Sequence, residues 1–218
     1  MNRLELKNLT ASYLDDLQMT YFTPAQMNVW LNNAQRKVQR TLINLKQNFY
    51  LKCVQTTTTA QECSLALPSD FMMIHKLECI TGGVFPNEAK FSMEPITLMQ
   101  ADLLQSTPST PQAYFFKKNN MALVPIPDRP YTIRMTYSYE VSDMLTDTDV
   151  PDVPERYHEL LSVLAALDGF LKDDRDNAYL ISLRDTYLAD MKAEANNRQE
   201  QRPREVVITQ PEFYGTLF

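Results

Sequence analysis

Residues 157–171 read YHELLSVLAALDGFL, and the fold turns on how that stretch is understood. Leu160, Leu161, Val163, Leu164, Ala165, Ala166, Leu167, Phe170 and Leu171 leave almost no polar face. A helix that is apolar nearly all round lies between other elements, so it demands packing partners on both sides, more than a surface helix of a lone monomer would have. Asp152 and Glu155 around Pro154 resemble a capping box at its start. Asp173 to Asn177 forms a polar corner with an N-cap. A second helix then runs from Ala178 to about Gln199, with Leu180, Leu183, Tyr187 and Met191 inward, until Pro203 stops it.

A matching long helix is expected near the other end of the chain. Thr23 with Gln26 makes a capping box, Pro24 occupies the first helical position, and Phe22 with Met27 forms a hydrophobic staple. Met27, Trp30, Leu31, Ala34, Val38, Leu42 and Leu45 recur at three- and four-residue steps as far as Lys46, with Arg36, Lys37 and Arg40 outside the stripe. A shorter helix is expected within Leu4 to Leu17.

Between the two helical regions the texture is that of strands. Tyr131, Ile133, Met135, Tyr137 and Tyr139 alternate with Thr132, Arg134, Thr136 and Ser138, one face apolar and one wet, which predicts an antiparallel sheet. Cys63 to Leu67, Phe71 to Ile80, Ala113 to Lys117 and Met121 to Pro125 supply further strands. Lys118-Asn119-Asn120 reads as a hairpin turn, because Asn tolerates positive φ, and Pro127 to Pro130 as a second turn. A short helix, about Ile96 to Gln105, interrupts the strands. The expected fold is α+β: a helical bundle of long N- and C-terminal helices, an antiparallel β-region inserted between them, and an extended C-terminal arm. In numbers, 1–48 and 142–202 form the helical body, 49–141 the β-region and 203–218 the arm.

Composition excludes several chemistries. Average glycine usage of roughly 7% predicts about 15 glycines in a chain of this size. It has four, at 82, 83, 169 and 215, so neither G-x-G-x-x-G nor a P-loop can be present. His75 and His158 are the only histidines, which excludes H-E-x-x-H zinc helices. Cys53, Cys63 and Cys79 lack metal or redox spacing and read as reduced core thiols, Cys53 in phase with Phe49 and Leu51. Asp143, Asp147, Asp149, Asp152 and Glu155 invite a calcium reading, but Pro151 stands where a ligand is needed and the central glycine of the loop is missing. His158, beside Glu155 and Glu159, has no nucleophile motif to serve and is read as structural. No catalytic residue, metal or cofactor is expected, and no membrane span or leader peptide.

Interaction features remain. Net charge is -6, with residues 1–50 at +3 and residues 141–200 at -8. Arg36, Lys37 and Arg40 make one basic patch and Lys117 and Lys118 another, candidates for loose contact with DNA phosphates or with a partner. The arm carries Val206, Val207, Ile208, Phe213, Tyr214, Leu217 and Phe218, more apolar surface than a segment without its own core can bury, and it is the expected partner interface.

Read in order, the chain resembles the head-to-tail adaptor (connector or ring) proteins of tailed bacteriophages, as in short-tailed and crAss-like phages. The resemblance lies in Leu67-Pro68-Ser69-Asp70-Phe71 leading a strand, in Thr110 to Phe115 followed by Met121 to Asp128, and in the tyrosine-rich Ile133 to Tyr139 strand. Val153-Pro154-Glu155-Arg156-Tyr157-His158-Glu159-Leu160-Leu161, opening the long helix, and the Ala178 to Arg202 helix complete it, so that Thr23 to Pro203 is covered. It departs from the usual form at Ser109-Thr110, where a glycine is common, and residues 204–218 match no family feature. The resemblance implies a non-enzymatic virion protein made in the host cytoplasm. It would form a homo-oligomeric ring of twelve copies at the head-to-tail junction, below the portal protein and joined to tail or further ring proteins, around a channel that genomic DNA passes. The alternative is a regulatory module that captures a partner protein with the arm.

Overall fold

Thr23 starts the second helix as its sequence requires: its hydroxyl accepts from the Gln26 N–H, and the Gln26 side chain accepts from the Thr23 N–H. The computed structural model describes residues 1–45, 48–83, 87–104, 107–173 and 177–200, and the side chains up to 197. Helix α1 spans Arg3–Tyr13, α2 Pro24–Asn44, α4 His158–Lys172 and α5 Ala178–Glu200. Helix α1 has its own capping box, Asn2 with Glu5. Helix α5 is capped by Asn177, whose side-chain oxygen accepts from the Leu180 N–H.

Helix α4 runs through the middle of the bundle, packed by α1, α2 and α5. Leu160, Leu161, Val163, Ala165 and Ala166 are fully buried, and each large side chain contributes roughly 1.5–3 kcal/mol by leaving water. Ser162 donates to the Leu6 carbonyl of α1. At Gly169 a Cβ would stand 2.8 Å from Leu14 and 3.2 Å from Trp30, so the missing side chain lets α1 and α2 close on α4. The partners demanded by an all-round apolar helix are therefore the chain's own helices, and α4 gives no argument for a second subunit. The expected Asp152/Glu155 capping box does not form. Pro154 opens a 3-10 turn, Glu155–Tyr157, that runs straight into α4 with no side-chain cap, and the Asp152 carboxylate accepts from the Tyr139 hydroxyl instead.

The β-region is a sandwich of two four-stranded sheets. The first has the order β1 (Leu51–Thr57), β8 (Thr132–Tyr139), β3 (Phe71–Gly82), β4 (Ala89–Ser92), all antiparallel. The second has the order β2 (Ser64–Ala66), β7 (Asn120–Val124), β6 (Ala113–Lys117), β5 (Glu94–Pro95). Their facing sides share one core, with Leu77, Cys79, Ile133, Met135 and Tyr137 from the first sheet and Leu65, Tyr114, Met121 and Leu123 from the second. Strand β8 buries the face its alternation predicts.

Three details depart from expectation. The pair β5–β6 is parallel, because the chain crosses between them through α3 (Leu98–Leu104), whose Ala101 packs on Ala113 and Val124; a parallel neighbour needs such a crossover. At the β6–β7 hairpin the positive φ, 55°, falls on Lys118 and not on an asparagine. Cys53 is exposed, not core. It pairs with Thr136 on the outer face of the first sheet, while Val54, opposite Met135, points inward.

The sandwich is joined to the bundle by residues 139–153, an extended segment laid along α2. Gln35, fully buried, donates to the Ser142 carbonyl at 2.8 Å and accepts from the Asp152 N–H at 3.1 Å. Gln39 accepts from the Val141 N–H and donates to the Tyr139 carbonyl. Asn32 accepts from the Met144 N–H and donates to its carbonyl. Replacing Gln35 by Leu takes both bonds from the half-buried Ser142 carbonyl and Asp152 N–H, a loss of about 1–3 kcal/mol in all because water can reach part of what is left. Denaturant unfolding of Gln35→Leu should show a loss in that range, whereas a surface Gln26→Leu change, which removes only half of a capping box, should cost less.

Candidate functional site

The acidic loop after β8 is a structural clasp. Arg3 and Lys7, both buried on α1, converge on one oxygen of Asp147 at 2.8 and 2.9 Å, and Arg3 also donates to the Met144 carbonyl. Lys7 first and Arg3 next hold the Asp147 carboxyl below its usual range. Asp149 accepts from the Leu145 and Thr146 N–H groups and from the Thr146 hydroxyl, and its carboxyl is lowered chiefly by that hydroxyl. Among the described residues no group of three His, Cys, Asp or Glu stands close enough to hold a metal ion.

His158 belongs to the same junction. It is buried, with Nε2 2.9 Å from the Val153 carbonyl and Nδ1 3.0 Å from the Met1 nitrogen. A carbonyl only accepts, so Nε2 carries the proton and Nδ1 is the acceptor. Its neighbour Glu159 faces elsewhere, accepting from the Tyr13 hydroxyl at 2.8 Å and the Tyr187 hydroxyl at 2.5 Å. Burial, helped by that carboxylate, pushes Tyr187 up to about 12. His75 is exposed on β3, with Nε2 2.7 Å from the Ser138 hydroxyl. Burial raises the Cys79 thiol above its ordinary value, a core thiol as its sequence implied.

The basic candidates divide into two groups. Arg36 is paired with Asp143 and, at 3.8 Å, with Glu140; Lys37 is paired with Asp168 at 2.8 Å. These two fasten α2 to the acidic loop and to α4. Arg40 is exposed and has no ion pair among the described residues; Lys117 and Lys118 project at the β6–β7 hairpin tip. The patch on α2 is thus reduced to Arg40, far from the hairpin pair in sequence. The seven candidates of the arm, Val206, Val207, Ile208, Phe213, Tyr214, Leu217 and Phe218, lie outside the described residues.

Sequence reasoning missed two surfaces. Helix α3 exposes Leu98, Met99, Leu103 and Leu104, with Met99 at 78% and Leu103 at 81%, on the outer side of the second sheet. The signal was present in Leu98-Met99 and Leu103-Leu104, whose spacing gives a short helix two apolar faces where only Ala101 is needed for packing. The second is a 580 Å³ cleft at the sandwich edge, lined by Leu67, Phe71, Met73, Phe116 and Lys118. No helix among the described residues is long and apolar enough to cross a membrane.

One family model, described as SU10 adaptor protein, matches residues 1–208. No curated protein matches the chain.

The geometry of His158 generates a pH prediction. Burial first, and then the neighbouring Met1 ammonium, hold its pKa below the ordinary histidine value, against the opposing bond to Val153. The unfolded chain therefore takes up the proton first. Stability attributable to His158 is complete above about pH 6.5 and declines as the pH falls through the interval down to the folded pKa. Unfolding midpoints measured between about pH 7.5 and about pH 5 should fall with pH, and His158→Gln should flatten that dependence.

Proposed function

We propose, since the chain belongs to the SU10 adaptor protein family, a family of phage head-to-tail adaptors, that it assembles as a ring of identical subunits below the portal protein. In that position it joins the capsid to tail or further ring proteins and lines the channel that the genome traverses. Its role is structural and not catalytic, at the head-to-tail junction of the virion, and twelve copies is the ring number we assign.

The family match carries this reading. The surface chemistry supports it. Two modules, a bundle and a sandwich, are fastened to each other through residues 139–153, which α1 and α2 hold by side-chain amides and ion pairs. Four exposed apolar side chains on α3 make a surface of the kind that marks protein–protein contact. The arm, with Val206, Val207, Ile208, Phe213, Tyr214, Leu217 and Phe218, offers a second. A ring subunit must hold its neighbours through unlike surfaces and must also meet the layers above and below it, so more than one contact surface is what this reading calls for.

For the DNA channel, Arg40, Lys117 and Lys118 are the residues to test, because Arg36 and Lys37 are engaged within the subunit. Charge reversal at Arg40, Lys117 and Lys118 together should leave ring assembly intact and slow genome exit, measured as ejection kinetics. Arg36→Ala should act differently, weakening the fold. Electron microscopy or native mass measurement of the chain mixed with its portal protein should show a closed ring. A chain that stays monomeric beside its portal overturns the proposal.

A further inference from the structure

Of the sheet edges in the sandwich, one is built unlike the rest. Strand β4 has four residues and a register shift at Ile80/Gly82 against β3, β2 has three residues, and β5 has two and ends in Pro95. Short length, a bulge and a proline are each ways of blunting an edge against further pairing. Strand β1 has none of them. Its seven residues, Leu51–Thr57, pair one-to-one with β8 from Ser138 to Thr132 without a shift, and contain no proline. Its one lysine does not guard the edge either. Lys52 folds back onto the sheet, its ammonium 2.5 Å from Asp70 and 4.2 Å from the centre of the Tyr139 ring. Half of the backbone donors and acceptors of an edge strand face outward, so β1 offers a straight template seven residues long.

The chain carries a segment that fits it. Pro203 and Pro211 bracket Arg204-Glu205-Val206-Val207-Ile208-Thr209-Gln210, seven residues whose centre is four consecutive β-branched side chains. Such residues favour strands, and proline at each end confines pairing to the stretch between them. Helix α5 also passes close to the start of β1. Near the end of α5, Glu194 accepts from the Tyr157 hydroxyl at 2.6 Å and pairs with Arg156 at 2.7 Å. The Arg156 guanidinium in turn lies 5.7 Å from the centre of the Phe49 ring, two residues before β1 begins.

We infer that β1 receives residues 204–210 of a second copy as an added antiparallel strand, so that neighbouring subunits are joined along the outer edge of the first sheet. The direction argues for the second copy. Glu194 of α5 lies one side chain, Arg156, away from Phe49, so by the shortest path a subunit's own arm would reach β1 at the Leu51 end and run alongside it in parallel. Every neighbour in the first sheet is antiparallel, and antiparallel pairing is the more stable per residue. A strand from another copy, entering at the Thr57 end, satisfies that pattern. The contact joins unlike surfaces, edge to arm, as a ring requires. It rests on the homo-oligomeric reading above and names the surface that reading leaves open.

Cys53 makes the test direct, because it is an exposed thiol in the middle of β1. In a chain carrying Cys63→Ser, single cysteines are placed at Val206, Val207, Ile208 and Thr209, and the assembled oligomer is oxidised. Side chains opposite each other on paired strands lie within disulfide reach, and successive residues alternate faces. The expected result is a ladder of covalent multimers on a non-reducing gel, strongest at the one arm position opposite Cys53, which is Ile208 when 51–57 and 204–210 overlap fully, weaker at Val206 and weakest at the positions between. Val207→Pro, added to a cross-linking variant, should abolish the ladder without touching the bundle or the sandwich. A cross-linked monomer would place the arm on its own subunit and overturn the inference, as would an intact oligomer that forms no cross-link at any of the four positions. Failure to form an oligomer with the portal would instead overturn the ring itself.

Discussion

The buried amides of α2 are what the remainder of the structure depends on. Residues 140–153 leave the sandwich, pass along the bundle and lead to α4 while making no sheet or helix of their own, so their peptide groups need partners from elsewhere. Asn32, Gln35 and Gln39 supply them, one amide for each turn of α2, each donating to a carbonyl and accepting from an N–H. In effect the side chains extend the β8 ladder onto a helix. Arg3 and Lys7 close the other side of the segment through Asp147. The sandwich is thereby placed against the bundle by directional bonds and not by apolar contact alone. The seam also has apolar filling, with Tyr50 and Tyr139 in edge-to-face contact at 5.9 Å.

Much of this was legible, for identifiable reasons. The Thr23–Gln26 box, the proline at the first position of α2 and the unbroken alternation of Tyr131 to Tyr139 are local signals, and local signals need no knowledge of the partner. The all-round apolar α4 was legible as an inner element, but periodicity says only that a helix has neighbours and not whose they are. The misreadings share that origin. Cys53 sits in phase with Leu51, and a period of two assigns two faces without saying which is inward; here Val54 and Thr56 take the sandwich side, against Met135 and Ile133. Asn32, Gln35 and Gln39 recur at helical spacing, and polar residues at that spacing look like a solvated face. Only the passage of a backbone segment that belongs to no sheet or helix buries Gln35 and Gln39 and half-buries Asn32. The expected capping box at Asp152 failed for the same reason, since Tyr139 and Gln35 engage that residue from elements remote in sequence.

Of the candidate site, the basic residues show how a charge patch changes meaning once distances are known. Arg36, Lys37 and Arg40 share one side of α2, and in sequence they form a single cluster. In the fold Arg36 and Lys37 neutralise Asp143 and Asp168, which belong to the acidic part of the chain. The opposed balances of residues 1–50 and 141–200 are therefore partly internal, and argue less for two unlike external surfaces than their size implies. Of the five candidates, Arg40, Lys117 and Lys118 stay exposed, and loose contact of this kind suits the proposed channel wall, where tight or sequence-specific binding would be a hindrance.

The apolar surfaces lead to a complementary conclusion. A monomer rarely leaves four large aliphatic side chains exposed on one short helix, and α3 does so on the outer side of a sheet whose inner side is fully packed. The α3 face lies on the second sheet and the open edge of β1 on the first, so one contact does not account for the other. An adaptor must hold its own neighbours and also the layers above and below it. On the proposal that β1 is taken up by neighbours within a ring, α3 is left for a different class of contact, with the portal or with the tail. That assignment rests on counting surfaces against obligations: an edge suited to a strand and a helix face suited to apolar packing are chemically unlike and lie on different sheets, so each is matched to its own contact.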